Sequence, residues 1–222
     1  AMESDMAVEL VRTFAAKSLY AMKEAIQSGM ASKELSMSGM CGQDCFKVQK
    51  RYKSERAMFG SVFEKIIEYA LATSEENIRM GKIVACPTAG SCGILPAALV
   101  AVSEEFNHSE REQLNALITA GEIGRIISIK VALAGAVAGC QAECGVASAM
   151  SAAAVCQMRG GNVFQILNAT ALALKNLLGL TCDPVAVLVE VPCLKRNPFL
   201  AVHSITAVAL ALSGVESKIP ID

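Results

Sequence analysis

The sequence predicts an all-α fold: a single compact helical domain whose central helices, rich in Ala and Gly, pack closely. Three observations carry this. Apolar residues recur at spacings of three and four in several stretches, which is the period of one helix face. No stretch alternates apolar and polar residues convincingly, as a half-buried strand would. Residues 126–156 are largely Ala, Val, Gly and Ser, and small side chains let helix axes approach closely.

Taken in order, residues 5–27 carry Val8, Val11, Phe14, Ala15, Leu19 and Met22 on one helix face, with Ser4 as cap and Gly29 as stop. Residues 33–49 read as loop. Cys41 and Cys45 would share a face on a helix and could take a metal, but Gly39 and Gly42 favour an irregular turn. A structural loop is therefore expected there rather than a zinc site. A second amphipathic helix spans residues 58–71, with Phe59, Val62, Phe63, Ile66, Ile67 and Ala70 inward. Glu75 to Met80 then forms a polar connection.

The run Pro87-Thr88-Ala89-Gly90-Ser91-Cys92-Gly93 is a tight turn aimed at a helix over residues 94–106. Amide groups at such a helix start favour an anion, and Thr88 and Ser91 add hydroxyl donors. An ordinary capped helix entry reads the same way. Ser109 caps a helix over residues 110–120, with Gly121 and Gly124 as punctuation. Gly135 and Gly139 share a face of the first small-residue helix, and residues 142–158 form the second. Helices over 163–178 and 198–212 complete the chain. The expected organisation is one domain over 1–222, looser over 1–80, with the chemistry in 81–222.

Twenty basic and 21 acidic side chains leave a net charge of -1, so nothing draws the protein to phosphate backbones, and nucleic acid is excluded as a partner. Lys130 and Glu143 interrupt the apolar central stretch, which argues against a membrane span. No secretory signal is visible at the N-terminus, so a cytoplasmic location is expected. Nine cysteines form a poor disulfide framework, and in a reducing compartment most such thiols are small buried hydrophobes.

Three cysteines stand apart. Cys140 follows Gly139 at a helix start, and Cys182 and Cys193 bracket a loop punctuated by Pro184 and Pro192. Iron-sulfur clusters need thiolates from separate segments converging on one point, and these three can supply them. The run Cys182-Asp183-Pro184-Val185-Ala186, followed by Val191-Pro192-Cys193 and Lys195-Arg196-Asn197, resembles the alpha chain of the bacterial iron-sulfur L-serine dehydratases. Gly139-Cys140-Gln141-Ala142-Glu143 matches that family's other cysteine motif, and the turn from Pro87 to Gly93 looks like its substrate turn.

The resemblance implies a 4Fe-4S cluster on Cys140, Cys182 and Cys193, with one iron left without a protein ligand. It implies a small amino-acid substrate held by Thr88, Gly90, Ser91 and Gly93, and dehydration of L-serine to pyruvate and ammonia. It also implies a beta chain or beta domain as partner, and a homo-oligomer is compatible with it. The family's alpha chain usually continues beyond the point where this sequence ends. No base is evident. Glu143 is a candidate by its place beside Cys140, while His108 and His203 read as structural.

Two departures from the family pattern stand out. Lys130-Val131-Ala132-Leu133-Ala134 replaces a segment carrying an amide and two hydroxyls, and Val187 replaces a glycine. They keep two further readings open: an L-cysteine desulfidase-type lyase, or a non-catalytic homologue acting as a scaffold subunit.

Overall fold

The computed structural model describes residues 2–55, 58–185 and 190–221, and among these it contains eight α-helices and no β-strand. Val187 and Ala186 lie outside the described residues. The helices are α1 (Met2–Ala31), α2 (Asp44–Ser54), α3 (Ser61–Ile78), α4 (Ile94–Phe106), α5 (Glu110–Lys130), α6 (Gly135–Met158), α7 (Val163–Lys175) and α8 (Cys193–Leu212). A short 3-10 turn, Ala89–Ser91, leads into α4.

Helix α6 is the axis of the molecule. From Ala142 to Cys156 every residue is buried, as expected of a helix apolar on all sides, and α4, α5, α7 and α8 pack around it. Its few hydroxyls find partners: Ser148 Oγ donates to Leu200 O at 3.1 Å, and Ser151 pairs with Ser204 at 2.9 Å. One core cluster joins Leu19 and Met22 of α1 and Ile66 of α3 to Leu99, Val146 and Leu172. The N-terminal helices therefore share the interior of the later ones. The apolar stretch Ala89–Phe106 has the length and composition of a membrane span but is 72% buried in this interior.

Several boundaries differ from the sequence expectation, each for a physical reason. Residues 44–54, read as mostly loop, are helical in α2, whose N-cap Gln43 makes no side-chain cap bond. The cap comes from elsewhere: Glu75 Oε1 accepts from Asp44 N at 2.6 Å and Cys45 N at 3.2 Å. The same residue explains why α3 runs on through the expected polar connection to Ile78, since Glu75 serves α2 and Glu76 accepts from Arg79 at 3.0 Å. Helix α5 continues through Gly121 and Gly124 to Lys130. A Cβ on Gly124 would meet Met150 Sδ of α6 at 2.9 Å, so close packing offsets the roughly 1 kcal/mol penalty of a helical glycine.

On α1 the expected inward face divides: Ala15, Leu19 and Met22 are buried, whereas Val8, Val11 and Phe14 are about half or more exposed. Phe59 is likewise exposed, ahead of α3. Helix α8 starts at Cys193 rather than at Pro198, with Pro198 buried inside it.

Candidate active site

Four segments meet at the site: the turn at 88–93, the start of α6 after Gly139, the loop at 179–185, and the first turn of α8. Gly139 is where α6 breaks. Its φ of 78° lies in the left-handed region, where a side chain is strained, so Gly135 and Gly139 do not share one continuous helix face. The break frees Gln141 to staple the neighbouring loop. Gln141 N donates to Leu180 O at 2.8 Å, and its Oε1 accepts from Gly179 N at 2.7 Å. Cys140 is thereby set beside the segment that carries Cys182.

Asn197 joins the turn to α8. Fully buried, it accepts from Gly93 N at 2.8 Å through Oδ1 and donates through Nδ2 to Gly90 O at 2.8 Å and Cys193 O at 2.7 Å. A Cβ built on Gly90 would stand 3.7 Å from Cys193 Sγ and 2.6 Å from Glu143 Oε1. Only a glycine leaves that space open.

Glu143 is buried one turn after Cys140. Thr88 Oγ1 donates to its Oε1, and a Cβ on Gly135 would collide with its other oxygen. Of the four expected substrate-turn residues, Thr88 and Gly90 are half-buried. Ser91 and Gly93 are buried and committed internally, Ser91 Oγ to Cys86 O at 3.1 Å and Gly93 N to Asn197.

The three expected thiols lie close enough together for their charges to interact. Hydrogen bonding from the Cys144 thiol, together with the Arg196 guanidinium, pulls the Cys140 thiol down to about 6 against the opposing effect of burial. Arg196 Nη1 donates to Cys140 Sγ at 3.1 Å. Cys144 is pushed up by the same hydrogen bond and by its burial. Burial, and then the charges of Cys140 and Glu143, push Cys193 up to about 12. Burial and the Cys140 charge also raise Cys182.

Among the described residues no three His, Cys, Asp or Glu side chains close on a single-ion site. Two thiolates on one ion, each about 2.3 Å from it, lie within about 4 Å of each other, and a multi-iron cage holds its ligands farther apart. Three soft sulfurs from separate segments, close enough for their charges to interact and one of them already hydrogen-bonded to a guanidinium, form a donor set that fits an iron-sulfur cluster.

His108 and His203 are engaged elsewhere, His108 with Glu112 at 3.4 Å and His203 with Ala173 O at 2.9 Å. Lys130, at the end of α5, and Val131, Ala132 and Ala134, in the connection that leads into Gly135, lie exposed. Sequence reasoning assigned no role to Arg196 or Asn197. The signal available was their place in the Lys195-Arg196-Asn197 run that follows Cys193.

The family model described as serine dehydratase alpha chain matches residues 2–222. A probable L-serine dehydratase alpha chain of Bacillus subtilis is 43% identical over 204 residues, which is 92% of this chain and 68% of that protein. The L-serine dehydratase alpha chain of Peptoniphilus asaccharolyticus is 47% identical over 169 residues, 76% of this chain and 58% of that protein. The L-serine dehydratase TdcG of Escherichia coli is 42% identical over 154 residues, 68% of this chain but only 34% of its own length.

Proposed function

The chain belongs to the serine dehydratase alpha-chain family, and on that premise we propose that it carries the catalytic centre of an iron-sulfur-dependent lyase that converts L-serine to pyruvate and ammonia. Cys140, Cys182 and Cys193 would hold a 4Fe-4S cluster. The observation that supports this most is that Arg196 ties Cys140 Sγ to the backbone beside Cys182, while a Cβ on Gly90 would stand 3.7 Å from Cys193 Sγ and 2.6 Å from an oxygen of the buried Glu143. When bound, a cluster with one iron lacking a protein ligand supplies Lewis-acid polarisation of the substrate hydroxyl.

The chain's own residues supply the rest. The backbone at Gly90, in the half-buried part of the turn, receives the substrate carboxylate, with Thr88 beside it giving its one hydroxyl proton to Glu143, while Ser91 and Gly93 hold the turn in shape from behind. Glu143, in hydrogen-bond contact with Thr88, is the titratable group placed to take the α-proton. Loss of that proton and of the β-hydroxyl, together one water, leaves an aminoacrylate, which tautomerises and hydrolyses to pyruvate and ammonia. Residues 181–185, exposed apart from the half-buried Cys182, carry one of the three thiols, and a beta chain or beta domain would cover them. The whole chain acts as one alpha-type unit, and its nine free thiols suit a reducing compartment such as the cytoplasm.

A second reading, desulfuration of L-cysteine, gains from the altered segment at 130–134, because that segment leads directly into Gly135 at the Glu143 carboxylate. Anaerobic reconstitution followed by pyruvate assays separates the readings. L-serine turnover that requires iron and sulfide, with or without an added beta chain, supports the first. Turnover of L-cysteine alone supports the second, and full cluster loading with no pyruvate from either substrate defeats both.

A further inference from the structure

Arg196 lies one helical turn beyond Cys193 on α8, so its side chain leaves from the element that carries one of the three thiols. It reaches across to the other two. Nη1 donates to Cys140 Sγ at 3.1 Å and to Thr181 O at 3.1 Å, and Nη2 lies 2.6 Å from Asp183 Oδ1. Cys182 stands between Thr181 and Asp183, so one guanidinium touches the Cys140 sulfur and grips the backbone before Cys182 and the carboxylate after it. A planar fork with several fixed donors can do this. A lysine's donors all radiate from one nitrogen, so it lacks the second, separated nitrogen that reaches Asp183 while the first holds Cys140 and Thr181.

We propose that Arg196 is the positioning residue of the centre, pinning the Cys182 segment against Cys140 and donating a charge-assisted hydrogen bond to a cluster-bearing sulfur. The proposal rests on the cluster reading above and goes beyond it. A bound cluster would gain two things from the clamp: ligands held in place against extraction, and a sulfur hydrogen bond of the kind that sets cluster potentials.

The test reconstitutes parent chain, Arg196→Met, Arg196→Lys and Asp183→Asn anaerobically with iron and sulfide. Bound iron and sulfide, the rate of iron release to a chelator, and the cluster's reduction potential are then measured. For Arg196→Met, iron release rises about tenfold or more. Loss of a hydrogen bond to a charged sulfur moves the one-electron reduction equilibrium about tenfold toward the oxidised form, about 59 mV lower. Arg196→Lys keeps the charge and most of the potential but releases iron faster than the parent. Asp183→Asn, altered at an exposed carboxylate, releases iron severalfold faster at unchanged potential.

A folded Arg196→Met chain with parent-like iron release and potential overturns the proposal. Where Arg196→Met does not fold, Asp183→Asn decides, and parent-like iron release there overturns it equally. A parent chain that takes up no iron and sulfide overturns the cluster reading itself, and this inference with it.

Discussion

Cys41 and Cys45 on one side and Cys140 on the other share burial and differ in the groups placed around them. Cys41 and Cys45 sit with Leu71, Ala72 and Leu194 in a small apolar cluster between α2, α3 and α8. Burial pushes Cys45 up to about 12, and burial followed by the Glu190 charge raises Cys41. Cys140 is equally buried, yet it stands at about 6, because a neighbouring thiol and a guanidinium donate to its sulfur. Burial alone thus makes a cysteine an inert hydrophobe. A placed donor, Arg196 Nη1 at 3.1 Å from Cys140 Sγ, favours the thiolate form of an equally buried side chain.

The largest expected effect tests that contrast directly. Replacing Cys140, Cys182 or Cys193 singly by Ala abolishes retention of a full iron and sulfide complement and the associated pyruvate formation. Cys45→Ala keeps the complement and loses only about 1 kcal/mol of packing. Elemental analysis after anaerobic reconstitution, beside urea unfolding, reads both. Equal iron loss from Cys45→Ala would dissolve the distinction between the two groups.

The joint between turn and helix comes next. Asn197→Ala deprives Gly93 N, Gly90 O and Cys193 O of a partner inside the protein. Buried polar groups left unsatisfied cost roughly 1–3 kcal/mol each, and partial rearrangement should bring the total to about 3 kcal/mol in urea unfolding. Asn197→Asp keeps the acceptor for Gly93 N but sets a buried carboxylate oxygen against Gly90 O and Cys193 O, and it should be at least as unstable as the Ala variant.

How much of this was legible beforehand follows the length of the contacts. Helices α4, α5 and α7 start close to where their local signals place them, and Ser109 and Asn162 complete capping boxes three residues on. Helix α2 was missed because its cap, Glu75, lies some thirty residues downstream, and no local pattern announces a borrowed carboxylate. Cys140, Cys182 and Cys193 are singled out by family motifs alone, and their role as ligands is the proposal made above. The roles of Arg196 and Asn197 could not be read in advance, because their partners at Cys140 and Gly90 are 56 and 107 residues away. Phe14 looked like core by spacing, yet it is 62% exposed. Periodicity locates the apolar face of a helix but not how far along it the neighbours extend.

The smallest effect concerns the other side of the comparison, where no thiolate is needed and a carboxylate does the organising. Glu75 is fully buried, and its burial pushes the carboxyl above the usual range even though the Asp44 and Cys45 amides favour its charged form. Arg79 Nη1 stands 3.8 Å away, too far for a hydrogen bond. A carboxyl raised on folding binds its proton more tightly in the native state, so its contribution is complete below the ordinary carboxylate range and is lost as pH rises through the higher native value. Glu75→Gln keeps an acceptor for the two α2 amides and cannot ionise. Parent minus variant stability, measured by urea unfolding from pH 4 to 8, should therefore decline with rising pH and then level off, while iron uptake at the distant thiols stays unchanged. A difference that climbs with pH would mean that Arg79 holds Glu75 charged in the fold, making this cap an ion pair like that of Arg196 and Asp183.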